Sequence, residues 1–79
     1  MLEKILYWFP EEELIKFQGF DEAIIGIDDS QVRLIYSSSK IIEIMKEDMS
    51  EEDAIEDFEY NIKSAWFGEK TPIICIDDL

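Results

Sequence analysis

Residues Ala23 to Tyr36 read AIIGIDDSQVRLIY: an isoleucine-rich run, a short Asp/Ser break, and a second run in which Val32, Leu34 and Tyr36 alternate with Arg33 and Ile35. Alternation at period two puts one set of side chains on one face of a strand, and β-rich runs joined by a short turn form a hairpin. Gly26 interrupts the first run, which predicts a bulge there or the close approach of another backbone.

On either side of this hairpin the pattern changes from strand to helix. Upstream, Leu2, Ile5, Leu6 and Phe9 recur at helical spacing, although Tyr7 and Trp8 make a strand over residues 5–9 an alternative. Pro10 suits the first position of a second helix, Glu11, Glu12 and Glu13 suit its N-terminal dipole, and Gly19 stops it after Leu14, Ile15 and Phe17. Downstream, Ser37, Ser38 and Ser39 offer N-caps for a helix through Ile41, Ile42, Ile44 and Met45. Ser50, with Asp53 three residues on, opens a longer helix from about Glu51 to Trp66, closed by Gly68. Its stripe Ile55, Phe58, Ile62, Ala65 and Trp66 is expected to face the core, with Trp66 and Phe67 straddling two faces. Thr71 to Ile76 then read as a last strand with Pro72 at its first residue, and Asp77, Asp78 and Leu79 as a frayed tail. The expectation is one α+β domain over residues 1–79, a β-hairpin plus a C-terminal third strand covered by about three helices.

A chain of 79 residues has room for one domain, and its 47% hydrophobic content marks a folded rather than a disordered chain. Its one cysteine, Cys75, forms no intrachain disulfide and is expected to be a buried strand residue. No apolar run approaches the roughly 20 residues of a membrane span, and the start lacks the features of a signal peptide, so a cytoplasmic location is expected. Histidine is absent, which removes the commonest general base and transition-metal ligand. The three glycines are too scattered to cradle a phosphate, and the Asp28/Asp29 pair falls short of the EF-hand spacing. These gaps point to a chain that is not an enzyme and needs no cofactor or metal.

Seven basic against twenty acidic side chains leave a formal net charge of −13. Such a surface repels nucleic acid and anionic membrane and favours basic partners. The acids are also concentrated: Glu47, Glu51, Glu52, Asp53, Glu56, Asp57 and Glu59 fall in one segment, where i, i+4 neighbours repel each other along a helix. A row of carboxylates at that spacing resembles a line of backbone phosphates, which makes this face a candidate partner-binding surface; the plainer reading is a solvated face. Tyr7, Trp8, Phe9 and Trp66 are candidate interface aromatics, and Asn61 is expected to bond the loop from Gly68 to Thr71.

The runs GFDEAIIGID (19–28), MSEEDAIEDFEYNI (49–62) and SAWFGEKTPIICIDD (64–78) resemble a widespread group of small uncharacterised phage and prophage proteins. Members of that group share an acidic hairpin start, the helix opening seen here in Met49 to Ala54, an aromatic-Asn pair (Tyr60, Asn61) and the GE-x-TPI block from Gly68 to Ile73. The similarity covers roughly Gly19 to Asp78 and leaves the first eighteen residues unmatched. It implies a phage or prophage origin and action in a host cytoplasm. Together, charge and resemblance predict a small acidic protein that binds and inhibits a basic host protein, as a nucleic-acid mimic would. The alternative is a non-catalytic assembly accessory forming a homodimer.

Overall fold

The computed structural model describes residues 1–77. It contains a three-stranded mixed sheet with helices packed on it, the α+β arrangement expected from the sequence. Strands β1 (Ile24–Asp28) and β2 (Arg33–Ser37) form the antiparallel hairpin, and β3 (Ile73–Cys75) adds to β2 in parallel, giving the order β1-β2-β3.

A bulge decides which hairpin residues meet. Ile24 opposes Tyr36, but the register then shifts, so that Gly26 opposes Ile35 and Ile27 opposes Leu34. The extra residue, Ile25, lets Ile24 and Ile27 share a face although they are three apart, a spacing that a regular strand would split. That face carries Leu34 and Tyr36, both fully buried. At the other end of the hairpin, Val32 lies in the turn with φ 54 rather than in the strand, a left-handed conformation that β-branched residues avoid. The Asp28 carboxylate holds this turn, accepting hydrogen bonds from the Ser30 amide (3.2 Å) and hydroxyl (2.9 Å) and pairing with Arg33 at 3.4 Å.

The ambiguous first segment is helical: α1 (Leu2–Trp8) buries Ile5 and packs on β1. No helix follows Pro10. Residues 12–17 run without regular structure to a turn at Gly19 (φ 88). An isolated helix of that length is marginal, and the segment gains more by burying Phe17 against Tyr36, with ring centroids 5.1 Å apart and the Phe17 amide donating to the Tyr36 hydroxyl at 2.9 Å.

Helix α2 (Ser38–Met45) starts where the serines predicted, with the Ser37 hydroxyl accepting from the Lys40 amide at 3.2 Å. It buries Ile41 and Met45 and packs on β2, on the 3-10 turn Asp21–Ala23 and on the next helix. That next helix is shorter than its periodicity suggested. Helix α3 (Glu51–Asp57) passes into a π-helical turn over Phe58–Lys63, and neither element reaches Trp66. The buried stripe is Ala54, Phe58 and Ile62, each four residues from the last, whereas Ile55 and Trp66 face outward. A turn closed by i→i+5 bonds holds more than four residues, so it keeps positions four apart closely aligned and leaves positions three apart off the stripe.

Gly68 therefore terminates no helix. Its φ of 98 serves a tight loop closed by Thr71, whose hydroxyl accepts from the Phe67 amide and donates to the Gly68 carbonyl, both at 2.6 Å. Asn61 takes no part in that loop and donates instead to the Asp57 carboxylate on its own helix. Cys75 is half-buried rather than buried. Asp77, expected to fray, is engaged with the start of α2, and the other two tail residues lie outside the described ones.

Candidate functional site

The acidic helix begins at a well-made cap. The Ser50 hydroxyl accepts from the Asp53 amide at 3.2 Å, so one otherwise orphaned donor of the first turn is satisfied. Glu51, Glu52 and Asp53 fill that turn, where carboxylates interact well with the helix dipole. With Ala54, Phe58 and Ile62 buried, the helical repeat sends Glu52 and Glu56 to the opposite side, with Ile55, Glu51 and Glu59 on one flank and Asp53 and Asp57 on the other.

Six of the seven acids singled out from the sequence thus share one rod, split between an outward pair and its two flanks. Glu47 does not join them. It lies in the connection after α2 and lines a separate depression with Glu22, Lys40 and Glu43. Glu59 pairs with Lys63 at 3.4 Å and Asp57 accepts from the neutral amide of Asn61, leaving Glu51, Glu52, Asp53 and Glu56 with no side-chain partner of either kind among the described residues. The remaining ion pairs, Lys16 with Asp21, Arg33 with Asp28, Lys46 with Glu43 and Lys70 with Glu12, place their cations on other elements.

The aromatic candidates divide. Tyr7 and Trp8 project from α1 with 78% and 74% of their surface exposed and meet edge to face, centroids 5.8 Å apart at 89°. Phe9 packs against the core instead. Trp66 is exposed in the irregular segment after the π turn, beside Phe67, whose ring lies 6.0 Å from that of Phe17.

Groups with shifted proton affinity are structural. Hydrogen bonds from Ser37, then Ser39, hold the Asp77 carboxyl well below the usual carboxylate range, against a smaller opposing effect of burial. The Ser30 hydroxyl lowers the Asp28 carboxyl, and burial pushes the Tyr36 phenol up. Among the described residues, no three Asp, Glu or Cys side chains converge as a metal site would need, and no helix is long and apolar enough to cross a membrane. No family model, curated protein or solved structure matches this chain significantly.

Two features of this surface escaped the sequence pattern. The exposure of Ile55 follows from reading the stripe through Ala54, a small residue that periodicity arguments underweight. The grip of Asp77 on the serines joins residues 38 to 40 positions apart, and nothing local signals it.

Proposed function

We propose that this chain is a non-catalytic binding protein that presents the outward Glu52 and Glu56, flanked by Glu51, Asp53 and Glu59, to a positively charged macromolecule. One observation carries the reading: four consecutive-turn carboxylates stand exposed on a capped helix without a cation partner among the described residues, while five of the chain's seven basic side chains are committed to ion pairs. Exposed like charges on one helix lower its stability, and a basic partner turns that cost into attraction on docking. The match to a row of phosphates makes the basic groove of a nucleic-acid-binding protein the preferred target class. The resemblance to phage and prophage proteins supports a host protein as that target and the host cytoplasm as the place of action.

The test is capture of proteins from a bacterial extract by the wild type and by the triple variant Glu52→Gln, Glu56→Gln, Glu59→Gln. The reading expects a basic protein retained by the wild type, lost with the variant, and released as ionic strength shrinks the Debye length from about 10 Å at 0.1 M to about 3 Å at 1 M. Capture unaffected by either treatment would overturn it.

Tyr7 and Trp8 support a second reading, an assembly accessory in which two copies meet through α1, since both rings are exposed and aromatic residues are enriched at interfaces. Light scattering over a range of concentrations separates the two. A dimer abolished by Trp8→Ser favours this reading, and a monomer at millimolar concentration excludes it.

A further inference from the structure

Where α2, α3 and the end of β3 meet, a shallow depression of about 170 Å³ is lined by Ile42, Ile55, Phe58 and Ile76, with Glu59 and Lys63 on its lip and Ser38 beside them. Phe58 forms a buried floor, whereas Ile55 and Ile76 remain 43% and 40% exposed and carry its apolar lining out to solvent. The volume decides the scale of occupant. It is well below the roughly 300 to 1,000 Å³ of small-molecule sites and close to the ~150 Å³ cavity that holds a benzene ring, so it fits one apolar side chain.

Charge decides what flanks that side chain. Glu51, Glu52 and Glu59 lie one turn from Ile55 on the same rod, with Glu56 adjacent, and the one lysine lining the depression is already paired with Glu59 at 3.4 Å. A second copy of this chain would bring another −13 charges to the same place and is disfavoured by repulsion. An apolar side chain between lysines or arginines would be attracted at every point. The pattern of a small desolvated centre inside a charged rim is that of a binding hot spot.

We infer that this groove is the anchor point of the basic partner: it receives one leucine-sized or aromatic side chain from a segment flanked by Lys or Arg, while the acids around Ile55 meet those cations. The inference rests on the acidic-surface reading and adds to it a site and a sequence requirement on the partner.

The test uses the full chain and two short synthetic peptides, one of lysines with a single central leucine and a twin with serine in its place, titrated by calorimetry and by methyl NMR of the isoleucines. The leucine peptide is expected to bind about tenfold or more tightly than its twin, the gain given by burying one such side chain, and to shift Ile42, Ile55 and Ile76. Ile55→Gln, an exposed change compatible with a helix, should bring the leucine peptide down to the affinity of its twin without altering the twin. Ile76→Gln provides the same test from β3 if the first variant folds poorly. Equal binding of the two peptides overturns the groove and leaves the acidic surface standing. Binding of neither overturns both, and a leucine preference that survives both substitutions places the anchor elsewhere and overturns the inference.

Discussion

Asp77, two residues past β3, sets its Oδ1 3.1 Å from the backbone nitrogen of Ser39, so a carboxylate from the far end of the chain caps the first turn of α2. The same oxygen accepts from the Ser38 hydroxyl at 3.2 Å, and the other oxygen accepts from Ser37. Helix and strand are thereby tied at one point, and the parallel pairing of β3 with β2 delivers the carboxylate there.

These bonds make a pH prediction. Because Asp77 binds its proton less readily when folded than the ordinary carboxylate near pH 3.9, the unfolded chain takes up the proton first, and stability falls as pH drops below about 4. Above that range the contribution is present in full. Asp77→Asn should melt below the wild type at pH 7, and the gap should narrow as the pH falls from about 4 toward 2. The general relief of charge repulsion near the pI acts on both proteins alike, so the difference between their melting curves isolates this carboxylate. A gap of the same size at pH 2 and pH 7 would contradict the cap.

The Tyr36 hydroxyl accepts from the Phe17 amide at 2.9 Å in a fully buried position. Tyr36→Phe removes the acceptor, keeps the ring and strands a buried amide, which costs about 1 to 3 kcal/mol. For a domain of this size that lowers the melting temperature by roughly 4 to 8 °C per kcal/mol. The loss should come with faster hydrogen exchange at Phe17, because the segment before Gly19 has no helix of its own to hold it. Wild-type Tyr36 should also titrate above the ordinary tyrosine range, since burial opposes its charged form.

Among the described residues, Val32 carries the one positive φ outside glycine, 54, at the end of the hairpin turn. A left-handed conformation costs an L-residue roughly 1 to 2 kcal/mol, partly offset in glycine by the larger entropy its unfolded chain loses. Val32→Gly is therefore expected to stabilise the chain by about 0.5 kcal/mol, read as a higher urea midpoint at unchanged slope. A lower midpoint would mean that the half-buried valine side chain contributes more than its backbone strain removes.

Hairpin, bulge, serine caps and third strand were all legible in the sequence because each has a local cause: alternation, Gly26, hydroxyls before an apolar run, and Pro72 at a strand start. Residues 10–19 have the caps of a helix, but Phe17 reaches Tyr36, nineteen positions away, and tertiary burial wins over local preference. Spacing of three, four and seven puts Ile55 on one stripe with Phe58 and Ile62, whereas the π turn aligns Ala54, Phe58 and Ile62 and leaves Ile55 outward. The acidic row was visible as composition and spacing. Its apolar neighbour was not, since Ile42, Ile55 and Ile76 come together only when three elements pack.

The outward acids make a further prediction that separates their two local effects. Glu52 and Glu56 are i, i+4 neighbours and repel by about 0.2 to 0.5 kcal/mol. Glu52 also stands in the first turn of α3, where the dipole returns about 0.3 to 1 kcal/mol, and Glu56 stands past it and gains nothing there. Glu56→Gln should therefore raise the melting temperature by roughly 1 to 3 °C, while Glu52→Gln should leave it unchanged or lower it. Both differences should fade in about 1 M salt, where charges more than ~3 Å apart are screened. If Glu56→Gln lowers stability at low salt, the carboxylate has a cation partner in the folded chain, and the surface offered to a basic macromolecule is smaller than the geometry implies.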